Sequence, residues 1–309
     1  MGKIDARTHA YMSDNRRFAD VINYLIYDGV QRIKPEQLHE MDPKEIAFPF
    51  GEDKGTDVIQ KYRDILKFAN VKEADDRAYV IIGIENQDEV HYAMPVRNML
   101  YDAAQYSKQV SNIAKGHRKN KSDKVITSGE FLGGYYKEDK LIPVITIVIL
   151  WSDKEWDGPM SLHDMFDGVD EIKDFVPDYK MNLISPAKMR DDDFEKLHSI
   201  MAEVLKYIKY FNDDEVLKNV LDDDIVYTDI DRETADLINE ISGHDLIFDE
   251  GKERVNMCRA HDEMKRKAAY ARTVEIAKAL IELGHISLED IAKATKLPIN
   301  EVQALAKLQ

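Results

Sequence analysis

The sequence predicts a mixed α/β core followed by a mostly helical region. Three observations carry that reading. Residues 78–87 (AYVIIGIENQ) form a β-branched apolar run ending in polar residues, as expected of a strand buried on both faces. Residues 141–151 (LIPVITIVILW) form the strongest strand pattern in the chain. From about residue 187 onward, apolar residues recur at helical spacing.

The elements follow in order. Residues 15–28 (NRRFADVINYLIYD) read as a helix, because Phe18, Val21, Ile22, Leu25 and Ile26 fall at helical spacing and Gly29 ends the run. A loop-rich stretch with Pro35, Pro43 and Pro49 comes next. Residues 54–71 suit neither period cleanly, and a strand is expected over 62–71. Residues 95–114 read as a helix with Met99, Ala103, Tyr106 and Val110 as its apolar stripe, and a turn at Gly133-Gly134 precedes the run at 141–151. The first 150 residues thus run helix, strand, strand, helix, strand. Helices are expected over 193–210, 232–241 and 252–283. The composition suggests three regions: 1–185, an acidic helical 186–250, and 251–309.

Of the 309 residues, 44% are hydrophobic, which is enough for a sizeable core and excludes a fully disordered chain. The single cysteine, Cys258, excludes an intramolecular disulfide and a Cys-rich zinc site, and fits a reducing cytoplasm. The first residues hold no apolar core of signal-peptide length. The longest apolar run, 141–151, is about half the length a membrane-spanning helix needs. A soluble, cytoplasmic protein with no membrane partner is expected.

The net charge of −16 argues against nucleic acid only if taken as one number. Residues 151–250 hold 28 Asp and Glu against 10 Lys and Arg, so the other 209 residues are nearly neutral. Within that remainder Lys108, Lys115, Arg118, Lys119, Lys121 and Lys124 cluster, with Asp123 as the one opposing acid. Such a cluster can hold a phosphate backbone locally, although a solvated loop gives the same pattern.

Asp64, Glu85 and Gln87 stand out as candidate chemistry. Glu85 and Gln87 are two apart at the end of a buried strand, so they point the same way. Asp64 lies 21 residues earlier, enough for one hairpin to bring it alongside. Two convergent carboxylates make a hard-cation site, and Mg²⁺ takes one or two carboxylates with water and substrate phosphate. Solvated strand ends carry the same residue types.

The segments RDILK (63–67), GIENQ (83–87) and HYAMPVRNMLYDAAQYSKQV (91–110), with RRFADVINYLIYDG (16–29) and VNMCRAHDEM (255–264), resemble the recombination-promoting nuclease (Rpn) family. That family is transposase-like and belongs to the PD-(D/E)XK nuclease superfamily. The resemblance implies a restriction-endonuclease-like fold, a mixed sheet flanked by helices, with the mostly helical C-terminal region after it. It implies that Asp64 is the first metal-binding Asp and Glu85 the acidic position of the (D/E)XK element. Gln87 stands where the superfamily usually has Lys. Gln is neutral and can only hydrogen-bond, so part of the electrostatic stabilisation is missing unless another cation supplies it, with Lys67 and Lys72 as candidates. Lys67, three residues from Asp64, falls on the opposite strand face, and Lys72 falls on the same face but about 26 Å away. Asp20 is a candidate third carboxylate for the metal, with a helix-surface aspartate as the plainer reading. Arg97, Tyr101 and Gln105, at i, i+4 and i+8, line one helix face, placed to meet the phosphate or to brace Glu85. An ordinary polar face has the same spacing.

Other chemistries fit less well. The nine histidines include no HExxH spacing, and no GxxxxGK[ST] or GxGxxG loop occurs. Residues 286–308 have a helix-turn-helix rhythm, with Ser287 and Asn300 as expected caps and Lys296 where glycine is common.

The expectation is a Mg²⁺-dependent DNA endonuclease, with Mn²⁺ able to substitute, that promotes recombination or transposition. Its catalytic residues would be Asp64, Glu85 and Gln87, its metal ligands Asp64 and Glu85 with Asp20 as a candidate, and its DNA contacts Arg97 and the cluster at 108–124. The alternative is a catalytically impaired nuclease-fold protein that binds DNA or a protein partner without cutting. The sequence leaves open whether the chain forms a homo-oligomer.

Overall fold

The computed structural model describes residues 3–42, 44–47, 59–62, 64–73, 76–119, 126–168 and 170–307. The chain divides into two compact units, Met1–Leu217 and Lys218–Gln309.

The first unit is built on a five-stranded mixed sheet in the order β1-β4-β5-β6-β7. Its strands are β1 (Leu38–Glu40), β4 (Ile65–Glu73), β5 (Asp76–Gln87), β6 (Val144–Leu150) and β7 (Asn182–Ile184). β1, β4 and β5 pair antiparallel, whereas β5, β6 and β7 run parallel. A separate antiparallel hairpin, β2 (Lys44–Ala47) with β3 (Ile59–Tyr62), packs on the helix that follows β5. The helices of this unit are α1 (Lys3–Met12), α2 (Asn15–Tyr27), α3 (Met94–Lys119), α4 (Ser128–Gly133), α5 (Asp191–Phe194) and α6 (Met201–Tyr210). This mixed sheet flanked by helices is a restriction-endonuclease-like fold.

The expected strands and helices form for the expected reasons. β5 is buried from Ile81 through Asn86, which accounts for its continuous apolar run. α2 starts at the Asp14 cap and ends where Asp28 and then Gly29 turn left-handed, with φ of 52° and 86°. A Cβ on Gly29 would lie 2.9 Å from both the Cβ and the carbonyl oxygen of Lys196, so glycine also permits the close approach there.

The two sheet faces are covered differently. On one face α3 is locked down by Asp102, which accepts hydrogen bonds from Thr146 Oγ1 of β6 (2.7 Å) and from the Tyr179 hydroxyl. Tyr106 on the same helix accepts from the backbone of Val144 (3.0 Å). On the other face Lys67 is completely buried, and its ammonium donates to Ser13 O and Asn15 Oδ1, tying β4 to the start of α2. The opposite-face placement expected for Lys67 follows from strand alternation.

Three expectations are corrected. The helix expected over 193–210 is broken into α5 and α6, because a turn at 195–200 intervenes. Asp20 caps that turn. It is 3% exposed, and its carboxylate accepts from His198 N (2.8 Å), Ser199 N (2.8 Å) and Ser199 Oγ (2.6 Å). It is therefore a buried structural anion committed to the approach to α6, and not a metal ligand.

The third correction lies in the second unit. Beginning at Lys218, this unit holds the end of α7 (Asp214–Asp223), a two-stranded pair β8 (Ile230–Asp231) with β9 (Arg254–Val255), and α8 (Arg232–Ser242). It continues through the 27-residue α9 (Met257–Leu283) to α10 (Leu288–Thr295) and α11 (Ile299–Lys307). Ala277, Ile291, Leu297 and Val302 join the last three helices into a small core. Ser287 caps α10 as expected, and Lys296 adopts the left-handed turn with φ of 59°. Asn300 does not cap α11. The first turn bonds to Pro298 O instead, because the helix begins two residues earlier than expected.

Replacing Asp20 with Ala strands three donors in a buried turn. We expect a loss of about 3 kcal/mol in urea unfolding of the full chain, with Asp20→Asn less damaging.

Candidate active site

Residue alternation puts Glu85 on the α3 face of β5, at the strand's carboxyl end. Two apolar clusters flank it on that face. Leu66, Ile81 and Val144 lie toward the strand's start, and Met94, Val148, Leu150 and Trp156 toward its end. Glu85 itself has no exposed surface. A carboxylate in that setting needs compensation, and Arg97 supplies it from the first turn of α3. Arg97 Nη2 lies 3.1 Å from Glu85 Oε2. The Arg97 Nε–H donates to the Tyr101 hydroxyl (2.9 Å), one helical turn on.

Asp64 stands immediately before β4. Ile65 pairs with Ile84, so one further step of the antiparallel ladder sets Asp64 across from Glu85. Its Oδ2 accepts the backbone N–H of Asn86 (2.7 Å), which fixes the carboxylate beside the end of β5. The two acids are thus delivered to one strand end by adjacent, directly paired strands.

The electrostatics of the group are coupled. Burial pushes the Asp64 carboxyl above the ordinary aspartate range, and the Asn86 N–H, Arg97 and His9 pull it only part of the way back. Burial works against the Arg97 charge, but Glu85, Tyr101 and Asp64 outweigh it and hold the guanidinium firmly protonated. Burial and the Glu85 charge raise the Tyr101 phenol, so Tyr101 stays neutral. The site is short of positive charge, and a cation entering it would favour both carboxylates.

The remaining expected residues fall in different places. Gln87 is half-buried on the Glu85 face, and its amide donates to Asn86 O (2.7 Å). Gln105 is buried beneath α3. Lys115, Arg118 and Lys119 are exposed at the far end of α3, and Lys108 is half-buried. Lys121 and Lys124 lie outside the described residues. Lys108, Lys115 and Lys119 are 11, 18 and 22 residues from Arg97. These are close to whole turns of a 3.6-residue helix, so all four cations share one stripe about 33 Å long.

Sequence reasoning missed α1. Its Asp5 and His9, one turn apart, are both felt by the Asp64 carboxyl, Asp5 raising its pKa and His9 lowering it. The acidic helix residue whose charge reaches Asp64 is thus on α1, whereas Asp20 on α2 was the expected source. The spacing of Asp5 and His9 was the available signal, but α1 carries too weak an apolar stripe to be recognised as a packed helix.

The donor set suits a hard cation of the Mg²⁺ type, which takes few carboxylates and keeps water. Among the described residues no group of three or more His, Cys, Asp or Glu side chains is placed to hold a metal, so a full protein cage is absent there. Asn98, the neighbour of Arg97 on α3, is 1% exposed and leaves both ends of its amide without a hydrogen-bond partner. That is an environment in which bound water is expected.

Paired acids at adjoining strand ends of a restriction-endonuclease-like sheet define a PD-(D/E)XK-type protein. Residues 56–225, more than half of the chain, match the family described as "Putative transposase, YhgA-like", and the chain belongs to that family. No curated protein and no solved structure matches it. No helix among the described residues is long and apolar enough to cross a membrane.

The raised Asp64 pKa has a definite sign in stability. The protonated acid is the form that burial favours, so its contribution is complete below the unfolded pKa and is lost as pH rises through the folded one. Asp64→Asn, which can still accept the Asn86 N–H, is expected to raise Tm at pH 7 without metal. That gain should vanish near pH 3 in matched thermal scans.

Proposed function

We propose that this protein is a metal-dependent DNA endonuclease that makes the breaks used in recombination or transposition. Asp64 and Glu85 are its metal ligands, for Mg²⁺ with Mn²⁺ as a substitute. The observation that carries this reading is the delivery of the two carboxylates to one strand end, with a protonated Arg97 against Glu85. Family membership supports a DNA-processing role.

A divalent ion held there would acidify bound water and neutralise charge developing on the phosphate. The chain's own residues do the rest. Glu85 and Asp64 fix the position of the reacting group. Gln87, on the Glu85 face, holds the attacking water by hydrogen bonding. Arg97 sits where it can exchange part of its pairing with Glu85 for a phosphate oxygen. This answers the missing lysine at position 87, since the cation comes from α3 and not from β5. Lys67 is excluded from that role because it is spent on Ser13 and Asn15 on the other face. Beyond the site, the stripe of Lys108, Lys115 and Lys119 continues the line from Arg97 and offers a track for one DNA backbone. Asp5 and His9 on α1 act on the Asp64 carboxyl through their charges.

A second reading, a nuclease fold that binds DNA without cutting, is favoured by one observation. The Gln87 amide already bonds to Asn86 O, which takes one donor away from water.

Supercoiled plasmid with Mg²⁺ separates the two. Wild-type protein is expected to nick it, and Asp64→Ala and Glu85→Gln to lose at least about 100-fold in rate. Equal nicking by all three would remove the proposed site. No nicking by any of them, with DNA binding intact, would establish the second reading. For the track, the double variant Lys115→Ala/Lys119→Ala should lower the slope of log affinity against log salt by about 2 in a binding titration.

A further inference from the structure

Asn98 is a buried amide with nothing to bond to. It is 1% exposed, and neither its Oδ1 nor its Nδ2 has a hydrogen-bond partner. An amide has two N–H donors and two acceptor lone pairs, so the unmet capacity is large for a core position. Asn86, by contrast, leaves only its Nδ2 unmatched, because its Oδ1 accepts from Trp151 Nε1 (2.8 Å).

Its height on the sheet follows from its neighbours along α3. The Tyr106 hydroxyl accepts from Val144 N (3.0 Å), and Asp102 accepts from Thr146 Oγ1 (2.7 Å). Met94 packs with Val148 and Leu150. Four residues of helix rise about 6.0 Å and two residues of strand about 6.6 Å, so α3 and β6 keep step while running in opposite directions. Asn98 comes four residues after Met94 and four before Asp102, which sets it at Val148. Val148 is the register partner of Glu85, one strand spacing of about 4.8 Å away. Helix side chains lean toward the helix N-terminus, and that turns Asn98 toward the strand ends where Asp64 and Glu85 meet.

The side chains of Met94, Val148 and Leu150 offer the amide nothing polar, and Asp102 is engaged by Thr146 and the Tyr179 hydroxyl. The polar group at its own level is Glu85. We infer that Asn98 is a positioning residue for the ion that Glu85 holds, acting through one buried water. That water accepts from Asn98 Nδ2–H and donates to the Glu85 carboxylate. A further bond on the carboxylate, beside the contact from Arg97, fixes its rotation and so the direction it offers a divalent ion. It also steadies Glu85 while Arg97 shares its guanidinium with a phosphate. This rests on the metal-binding reading above and adds a residue to it.

The test is Mn²⁺ binding to the full chain without DNA, read from the EPR signal of the free ion. Asn98→Leu, close to Asn in shape but without polar atoms, is expected to weaken binding about tenfold. Asn98→Ser keeps a hydroxyl and leaves room for the water, so it should stay within about threefold of wild type. Urea unfolding without metal checks that each variant folds. If Asn98→Leu does not, Asn98→Ala takes its place beside Asn98→Ser, with an expected loss of about tenfold. Unchanged Mn²⁺ affinity in the folded variants would overturn the inference. So would an equal loss in Asn98→Ser, since packing alone would then account for Asn98. A wild-type chain that binds no Mn²⁺ would overturn the metal reading and this inference with it, whereas intact wild-type binding that Asn98 variants leave untouched overturns this inference alone.

Discussion

The pairing of Glu85 with Arg97 is the constraint around which the first unit is arranged. A carboxylate with no exposed surface between two apolar clusters would be expelled or protonated if left alone. α3 begins close enough to β5 to bring a guanidinium within 3.1 Å of it, which compensates a charge there. That placement requires α3 to be held firmly on the sheet, and Asp102 and Tyr106 further along the helix supply the holding bonds to Thr146, Tyr179 and Val144. A buried ion pair of this kind adds little net stability over an apolar pair of similar size.

Asp64 shows the same tension from the other side. Its carboxyl is pushed toward the neutral form, yet one oxygen is fixed on the Asn86 amide and so cannot turn away. The group is held in a conformation that its own charge disfavours, which is the condition in which an added cation is worth most. Asp20 makes the contrast. It is more deeply buried than Asp64, but three donors surround its carboxylate.

Much of this was legible in the sequence, because β5, β6, α2 and α3 are long and strongly periodic. Asp64 and Glu85 were legible as a pair because one hairpin separates them and strand alternation fixes which side chains share a face. The three-residue strands β1 and β7 give no periodic signal at all. Asp20 was misread because its partners lie 178 and 179 residues away, beyond any local pattern. The same long-range contact explains the broken helix, since the turn at 195–200 lets backbone N–H groups reach Asp20 where a continuous helix would have consumed them. Arg97 was visible as part of a polar face, but its ion pair depends on how close α3 sits to β5, and helical spacing is silent on that distance.

The geometry of α3 joins the paired carboxylates to the basic stripe. A rigid 26-residue helix carries Arg97 in its first turn and Lys115 and Lys119 near its last, all on one stripe. Any movement of the far cations relative to the carboxylates would have to bend that helix or lift it from Thr146 and Tyr179. The exposed lysines therefore stand at a fixed offset from the Glu85 end, set by helix rise. The short stretch at 120–125 extends the basic run, but the offset is already defined before it begins. The acidic composition of 151–250 contrasts with the basic stripe on this helix.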